Sequence, residues 1–461
     1  MYRPTIGLEV HAELSTRTKM FCNSANDSNE MRPNTNVCPI CMAHPGTLPI
    51  INQEAVRHIL RIGTAVGGTL ADFSEFDRKS YFYPDIPKGY QISQYHYPLV
   101  SGGSLAGIAL TRVHLEEDTA RSIHSKGKSL IDFNRAGVPL MELVTEPVMS
   151  DAETAGRFAR ELQLLLRTLG ASGANLEKGE MRLEANISVS KEEGTFGTKV
   201  EIKNLNSFRS VERAIAYETE RQKALLEKGG KVVQETRGWD EEKQETFHQR
   251  FKEGSADYRF FPEPDLPKLF LSDIPEFSRE ALHASLPELP GERRARYAAL
   301  GLKTEDVIFI TAQLERGTFF DAVVRELDDA KEAVMLAANY FISDIAGEPG
   351  KATPASFANL IRLVASQTLS SRGAKDVLLL LVEQGGDPET IARKHNLIQI
   401  HDAGALGTVI DTVLAVETKA VAEYQAGKQA ALQYLVGKAM KESKGAGNPL
   451  ELRRIIAEKL G

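Results

Sequence analysis

The chain is 461 residues long, which exceeds one ordinary domain and predicts two to four domains. With 42% apolar and 26% charged residues it has a globular composition, and no apolar run approaches the roughly 18 to 20 residues that span a membrane. The net charge of −7 argues against a protein coated in basic surface for nucleic acid. No signal or transit segment precedes the strand pattern that begins at Thr5, so we expect a cytoplasmic protein.

The first predicted element is a strand over residues 5–14, in which apolar and polar side chains alternate. Its second face carries Glu9, His11 and Glu13. Because side chains on one face of a strand repeat about every 6 to 7 Å, two carboxylates and an imidazole would project into the same space. Such a row could hold a divalent cation, or it could be the solvated face of an antiparallel sheet.

The same alternation recurs over the first 260 residues, and two helices interrupt it. Further strand patterns cover residues 108–118, 130–134, 139–146, 180–190 and 199–203. One helix follows the capping-box pair Ser150 and Glu153 up to Gly170, and the other covers about 211–226. Half-buried strands that each carry one polar face predict an α+β domain, with an antiparallel or mixed, cradle-like sheet.

The pattern turns helical near residue 291, after a proline-rich stretch that predicts a domain boundary. Asn448, Pro449 and Glu451 predict the start of a final helix, as cap, first residue and third residue. We predict a catalytic α+β domain over 1–290, an all-helical connector over 291–395, and a small helical tail domain over 396–461.

Residues 76–93 combine aromatic, basic and proline residues in a way that suits phosphate and base recognition. Arg78, Lys79 and Lys88 could contact phosphates, while Tyr81 and Tyr83 could stack or donate hydrogen bonds. An ordinary aromatic hairpin would have the same composition, and the sequence leaves both interpretations open.

Acidic side chains concentrate near the end of the strand pattern at 108–118. Three acids in a row, residues 116–118, either lie in solvent or have a cation to neutralise them. Glu142 supplies a further carboxylate on a strand pattern, and many hard oxygen ligands favour Mg²⁺ over zinc. Glu116 and Glu117 would lie on opposite faces, so a one-residue error in register exchanges them.

The three cysteines all lie near the N-terminus, which excludes a disulfide framework. Cys38 and Cys41 form a Cys-x-x-Cys pair, the usual half of a structural zinc site, and Cys22 adds a third thiol. Zinc needs four ligands, and Ser24 is a poor fourth. The sequence therefore leaves a doubtful zinc site and three reduced, unliganded cysteines as alternatives.

Several long motifs in one order resemble the B subunit of bacterial aspartyl/glutamyl-tRNA(Asn/Gln) amidotransferase, the GatB family. The motifs are Ile-Gly-Leu-Glu-Val-His-Ala-Glu-Leu (6–14), Phe-Asp-Arg-Lys-Ser-Tyr-Phe-Tyr-Pro-Asp (76–85), Tyr-Gln-Ile-Ser (90–93), His-Leu-Glu-Glu-Asp (114–118), Asp-Phe-Asn-Arg (132–135), Glu-Ile-Lys-Asn-Leu-Asn-Ser-Phe (201–208) and Tyr-Arg-Phe-Phe-Pro-Glu-Pro-Asp (258–265). The resemblance covers the whole chain, because the helical tail is similar to the YqeY-type tail of that family.

The resemblance implies an enzyme subunit that uses ATP and Mg²⁺ to phosphorylate the side-chain carboxylate of glutamate on tRNA(Gln), aspartate on tRNA(Asn), or both. Ammonia from a glutaminase A subunit would then displace phosphate, within a heterotrimer completed by a small C subunit. The alternative is a noncatalytic tRNA-binding scaffold protein of the same complex. Family members with cysteines mostly carry four in the first region, and Ser24 replaces one of them here.

With that chemistry in mind we predict roles for individual residues. The expected Mg²⁺ ligands are Glu9, His11, Glu117 and Glu142; the expected catalytic residues are Glu9, His11, Lys79 and Glu117. Substrate or nucleotide contacts are assigned to Arg78, Tyr81, Tyr83 and Lys88. Residues 415–461 hold eight Lys or Arg against five Asp or Glu, so the tail is the expected tRNA-binding element. Its contacts are assigned to Lys438, Lys441, Lys444, Arg453 and Arg454.

Overall fold

The computed structural model describes residues 2–192, 194–251, 258–399, 403–443 and 447–461. The chain divides into two compact units, Met1–Leu289 and Pro290–Gly461. The first contains a large, mostly antiparallel sheet with helices, and the described part of the second contains α-helices. The predicted α+β class, with a helical C-terminal region, is therefore confirmed. The three predicted domain ranges stay predictions.

Strands of the first unit build one large sheet and several small ones. In chain order they are β1 (Arg3–Glu13), β2 (Thr69–Leu70), β3 (Phe73–Ser74), β4 (Asp77–Ser80), β5 (Tyr90–Ser93), β6 (Val100–Ser101), β7 (Ser104–Leu105), β8 (Ile108–Glu117), β9 (Arg121–Ser125), β10 (Lys128–Asp132), β11 (Pro139–Thr145), β12 (Met181–Ser190), β13 (Val200–Leu205), β14 (Glu235–Asp240), β15 (Glu245–Phe251), β16 (Phe261–Pro262) and β17 (Leu269–Phe270). The large sheet has the order β15-β14-β13-β12-β1-β11-β8-β6-β2, and β7 pairs with β8. Only β13 and β14 among these described strands pair in parallel.

Helices of the first unit share an apolar core with this sheet. They are α1 (Gln53–Ala65), α2 (Ala152–Thr168), α3 (Phe208–Glu227) and α4 (Arg279–Ala284), with short 3-10 helices at Leu271–Asp273 and Pro275–Phe277. Ile6 and Leu8 of β1 share one buried apolar cluster with Ile59 of α1, Phe158 of α2 and Ile215 of α3. The alternation in β1 turns the other face, with Glu9 and His11, away from this core.

The start of α2 differs from the sequence prediction by one residue. Asp151, rather than Ser150, is the N-cap, and its side chain accepts a hydrogen bond from the Thr154 backbone N–H at 2.7 Å. Asp and Ser are equally good caps, so the choice depends on where the backbone turns into the helix. The helix ends before Gly170, whose φ of +63° suits glycine.

The second unit consists, over its described residues, of helices α5 (Pro290–Ala299), α6 (Thr304–Thr311), α7 (Leu314–Glu326), α8 (Lys331–Ser343), α9 (Pro354–Ala365), α10 (Ser371–Gln384), α11 (Pro388–Lys394), α12 (Ala403–Val416), α13 (Thr418–Gln425), α14 (Gln429–Glu442) and α15 (Pro449–Leu460). They enclose two separate apolar clusters, one within 297–392 and one within 406–456. The predicted start of the last helix is confirmed, because the Asn448 side chain caps it by accepting from the N–H groups of Leu450 and Glu451. Among the described residues, no helix has both the length and the apolar character to span a membrane.

Candidate active site

Five polar side chains meet on the polar face of the large sheet, on three neighbouring strands. His11 of β1 lies opposite Glu142 of β11, which in turn lies opposite His114 of β8. Glu9 lies two positions from His11 on β1, and Glu116 lies two positions from His114 on β8, so both point to the same face. We call Glu9, His11, His114, Glu116 and Glu142 the carboxylate–imidazole cluster.

The two histidines of the cluster lie close to its carboxylates. The Nε2 atom of His11 lies 3.4 Å from an Oε of Glu142, 3.6 Å from an Oε of Glu116 and 4.0 Å from an Oε of Glu9. The Nε2 atom of His114 lies 3.4 Å from Glu142 and 3.9 Å from Glu116. His114, Glu116 and Glu142 are buried, whereas the Glu9 side chain keeps 30% of its surface exposed. The cluster is therefore open on the Glu9 side.

Burial and neighbouring charges together set the pKa of each group in the cluster, and which of the two dominates differs from group to group. Burial alone would lower the pKa of His11, but Glu142, Glu116 and Glu9 outweigh it and raise that pKa to about 9. Burial and the charge of Glu142 raise the pKa of Glu116 to about 7. Burial lowers the pKa of His114 to about 4. At neutral pH the His11 imidazolium is therefore a cation held among carboxylates, and His114 is neutral.

The donor atoms suit a divalent cation. Ligand atoms of Glu9, His11 and Glu142 all lie within 4.8 Å of one another, and so do those of His114, Glu116 and Glu142. Carboxylates suit both Mg²⁺ and Mn²⁺. Imidazole is the better ligand for Mn²⁺, which is the softer of the two ions. Of the predicted Mg²⁺ ligands, the structure brings Glu9, His11 and Glu142 together.

Glu117 does not lie with them, which corrects its predicted placement as a metal ligand and catalytic residue. It points to the other face of β8, where it contacts Lys88 Nζ at 2.7 Å and accepts a hydrogen bond from the Ile92 backbone N–H at 3.0 Å. Successive residues of a strand alternate between faces, so Glu116 occupies the place expected for Glu117. Lys88 pairs with this carboxylate, away from the cluster.

Lys79 lies near the cluster and faces aromatic rings. Its Nζ atom is 5.0 Å from the ring centre of Tyr258 and 5.8 Å from that of Tyr81. Burial would lower the pKa of Lys79, but the charges of Glu116 and Glu142 raise it. Lys79 has no ion pair with any described residue. It is a partly buried cation beside a cluster of carboxylates.

Arg78, another predicted substrate contact, lies in an ion pair with two carboxylates. Arg78 lies on the opposite face of β4 from Lys79 and makes two hydrogen bonds of 2.7 Å to Glu263 and one of 3.1 Å to Asp265. This pairing already uses its guanidinium group.

The two tyrosines of this motif lie in different surroundings. The Tyr81 hydroxyl donates to Gln91 at 3.0 Å. Tyr83 packs edge to face against Tyr81 but is largely exposed. Both stay candidates for substrate contact.

Glu13, the third polar residue of the first strand, belongs to different surroundings. It accepts a hydrogen bond from the Ser28 hydroxyl at 2.6 Å, and burial and the charge of Asp118 raise its pKa to about 7. It is not part of the carboxylate–imidazole cluster.

The three cysteines lie together, and a buried lysine joins them. Their sulfur atoms are all within 4.8 Å of one another, and the Cys38 backbone N–H donates to Cys41 Sγ at 3.1 Å. The fully buried Lys19 places its ammonium group 3.8 Å from Cys41 Sγ, where it donates to the Phe133 carbonyl at 3.1 Å. Three thiols supply three of the four ligands that a structural zinc needs, and a buried cation already adjoins them. The fit to zinc is incomplete, and we derive no function from it.

Ion pairs within the tail already occupy part of its basic charge. Lys438 Nζ lies 2.6 Å from Glu417, and Arg454 pairs with Glu451 and Glu458 at 2.9 and 2.7 Å. Lys441 and Arg453 are exposed and form no ion pair with a described residue. Lys444 lies outside the described residues.

The sequence assigned no role to His114, and it gave Glu116 only as the alternative to Glu117. The signal was their spacing, because residues two apart on a strand lie on the same face. His114 and Glu116 are two residues apart on β8, as Glu9 and His11 are on β1. Their alignment with Glu142 depends on the order and register of β1, β11 and β8, which no local pattern contains.

The chain is similar to known proteins over its whole length. Residues 4–274 match the family model described as the GatB/GatE catalytic domain, and residues 318–460 match the GatB domain. The chain is 44% identical, over all of both chains, to the B subunit of the aspartyl/glutamyl-tRNA(Asn/Gln) amidotransferase of Thermus thermophilus. It is 40% identical, over all of this chain and 98% of the relative, to the protein of that name from Gloeothece citriformis. It is 42% identical, over all of this chain and 88% of the relative, to the B subunit of the chloroplastic/mitochondrial glutamyl-tRNA(Gln) amidotransferase of Oryza sativa. The chain therefore belongs to the GatB family, the family of the B subunits of tRNA-dependent amidotransferases.

Proposed function

We propose that this chain activates and amidates the side-chain carboxylate of glutamate on tRNA(Gln), of aspartate on tRNA(Asn), or of both. ATP would be the phosphate donor and Mg²⁺ the cofactor. The observation that carries the proposal is the carboxylate–imidazole cluster, with Lys79 beside it, on a polar face of the domain that matches the catalytic family model. The names of the relatives supply the two aminoacyl-tRNA substrates.

The chemistry explains why such a site needs cations. A carboxylate reacts poorly with ammonia because oxide is a poor leaving group. In the proposed first step a carboxylate oxygen attacks the γ-phosphorus of ATP, the bond to the β,γ-bridging oxygen breaks, and ADP leaves. In the second step ammonia attacks the carbonyl carbon, phosphate leaves, and the surplus proton passes to a base. Both steps gather negative charge, which positive groups must offset.

Glu9, His11 and Glu142 would hold the Mg²⁺ ion, which would supply charge neutralisation for the phosphates. Glu116 lies close enough to join them, since it is 3.6 Å from His11. Lys79 has no ion pair with a described residue, and its ammonium group would bind a phosphate or the activated carboxylate. Tyr81 and Tyr258, which flank Lys79, would limit the directions in which that group can move.

The proposal includes partners, because the reaction needs ammonia and mischarged tRNA. We propose a heterotrimer in which a glutaminase A subunit releases ammonia from glutamine and a small C subunit completes the assembly. The relatives' names identify them as B subunits, which fits a multi-subunit enzyme. Of the predicted tail contacts, the exposed Lys441 and Arg453 are the best placed to contact tRNA, because their charges are not paired among the described residues.

The test is the assembled complex with Glu142→Gln and, as a matched control on the same polypeptide segment, Glu146→Gln. Glu142 lies in the cluster, whereas Glu146 accepts a hydrogen bond from Thr111 and lies outside it. We expect Glu142→Gln to reduce ATP-dependent amidation by about 100-fold or more, since even outer-shell partners of metal sites contribute about 10- to 100-fold. Glutaminase activity and tRNA binding should persist in both variants.

The scaffold alternative makes the opposite prediction. If the chain only binds tRNA, the complex with mischarged tRNA releases no phosphate from ATP in a Mg²⁺-dependent manner, and Glu142→Gln amidates as well as Glu146→Gln. Either result would overturn the proposed catalytic role.

A further inference from the structure

We propose that Glu184 binds the α-ammonium group of the aminoacyl-tRNA, and that Asn186 supplies a second acceptor beside it. The inference rests on the proposed function and adds a substrate subsite to it, on β12, which pairs with the other side of β1 from the strand of Glu142. Glutamate and aspartate both keep an α-ammonium group when they are esterified to tRNA, so one subsite would serve either substrate.

Glu184 lies beside the open side of the carboxylate–imidazole cluster. In the register of β1 and β12 it pairs directly with Glu9, the cluster residue whose side chain is 30% exposed. Buried apolar residues alternate with Arg182, Glu184 and Asn186 along β12, so these three residues lie on the polar face of the sheet. A substrate that reaches the cluster from the Glu9 side therefore passes next to Glu184.

Two acceptor atoms on this part of β12 lack a donor among the described residues. Lys203 donates to Oε1 of Glu184 at 2.7 Å, whereas Oε2 of Glu184 and Oδ1 of Asn186 are buried and receive no hydrogen bond there. A buried acceptor without a donor costs free energy, so two such atoms on residues two apart indicate a missing ligand with N–H or O–H donors. The Glu184 side chain is still 16% exposed, and the terminal torsion of a glutamate is broad, so its unpaired oxygen can turn towards the open side.

The dimensions of the substrate fit this placement. The α-nitrogen of a glutamyl ester is about 5 Å from the side-chain carboxyl carbon, four bonds away, and the aspartyl ester is one bond shorter. Directly paired residues of antiparallel strands have Cα atoms about 4.5 to 5.5 Å apart. A substrate carboxylate held beside Glu9 would therefore place the α-ammonium group near the neighbouring strand, where Glu184 lies.

An α-ammonium group supplies what these two acceptors lack. It carries three N–H donors and a positive charge, and hydrogen bonds between charged groups are the stronger ones. The ion pair with Lys203 holds the Glu184 carboxylate without using its second oxygen. The subsite would select aminoacyl-tRNA over peptidyl-tRNA, because acylation of the α-nitrogen removes its charge and two of its donors.

The experiment combines a substrate change with a residue change in the assembled complex. Glutamyl-tRNA(Gln) and aspartyl-tRNA(Asn) are prepared with a free and with an acetylated α-nitrogen, and their binding is compared in the unmodified complex, in Glu184→Gln and in the control Glu180→Gln. Glu180 directly precedes β12, and its carboxylate accepts from the Asn175 backbone N–H. We expect acetylation to weaken binding by the unmodified and control complexes about tenfold or more, the effect of one hydrogen bond to a charged group.

In Glu184→Gln we expect weaker binding of the free form and a further loss of less than about twofold on acetylation, because the two changes remove the same contact. If Glu184 only neutralises Lys203, acetylation weakens binding equally in this variant and in the unmodified complex, and that result would overturn the inference. An unmodified complex that binds both forms equally well would overturn it too. Asn186→Ala leaves the Glu184 ion pair in place and keeps the test valid if Glu184→Gln does not assemble; its loss on acetylation should be smaller than that of the unmodified complex.

Binding is measured without ATP, so this test is separate from catalysis. A loss on acetylation that depends on Glu184, in a complex that does not amidate tRNA, would support the α-ammonium subsite and overturn the proposed function. ATP-dependent amidation that proceeds equally well with free and acetylated substrates would leave the proposed function in place and overturn this inference.

Discussion

At the scale of single residues, the protonation of His11 links cation binding in the cluster to the pH. Three carboxylates lie within 4.0 Å of its Nε2 atom and raise its pKa to about 9, despite the opposing effect of burial. The proton on His11 therefore occupies the place that a divalent cation would take. Binding of a cation through Nε2 requires that this proton leave.

We predict that Mn²⁺ or Mg²⁺ binding releases close to one proton per His11 at about pH 7.5. Because the free imidazole is protonated below a pKa of about 9, metal affinity should rise about tenfold per pH unit up to that value and then level off. Titration calorimetry in buffers of different ionisation enthalpy measures the released protons. His11→Ala should remove the effect, and a buffer-independent heat for the unmodified chain would contradict it.

Arg78 shows how the same motif also contributes to stability. Arg78 joins β4 to the residue that follows β16, because its bidentate contact neutralises the fully buried carboxylate of Glu263. Its guanidinium group also lies 4.3 Å from the ring centre of Tyr90. Arginine suits this place because its planar fork matches a carboxylate.

At the scale of elements, we therefore predict that Arg78→Ala destabilises the pairing of β4 with β16. Removing one partner of a buried pair leaves an uncompensated charge and typically costs about 3 to 5 kcal/mol. The double variant Arg78→Met, Glu263→Gln should cost less than Arg78→Ala, because it removes both charges. Chemical unfolding of the full chain measures the free energies, and an Arg78→Ala value within about 0.5 kcal/mol of the unmodified chain, the range of ordinary surface changes, would contradict the assignment.

At the scale of the whole molecule, acidic charge predominates and basic charge is local. The net charge is −7, yet the tail carries a small basic excess, and several of its cations are paired within the tail. Contact with tRNA phosphates would require breaking those pairs, whereas Lys441 and Arg453 are available without such a cost.

We predict that Lys441→Ala with Arg453→Ala weakens tRNA binding by the assembled complex more than Lys438→Ala with Arg454→Ala. Each phosphate contact that is lost should reduce the slope of log affinity against log salt by about 1, through fewer released counterions. Binding measured across a potassium chloride series tests both pairs. Equal losses in the two double variants would show that intramolecular pairing does not control the contact.

Local pattern was enough to predict several of the elements and the fold class. The alternation at 5–14 predicted β1, and the cap, proline and acid at 448–451 predicted the start of α15, because both depend on residues close in the chain. Asp151 in place of Ser150 as the cap of α2 shows the limit of such patterns, since neighbouring residues of equal capping strength differ only in backbone conformation.

The sequence by itself determined the α+β class of the N-terminal region, the helical C-terminal region, the family, and the polar strand face that carries Glu9 and His11. Only the tertiary structure decided which side chains meet there. In the tertiary structure His114 and Glu116 lie in the cluster, Glu117 contacts Lys88 instead, and Arg78 pairs with Glu263. The physical reason is that side-chain parity is local, whereas the order and register of β1, β11 and β8 depend on hydrogen bonds between strands that are far apart in the chain.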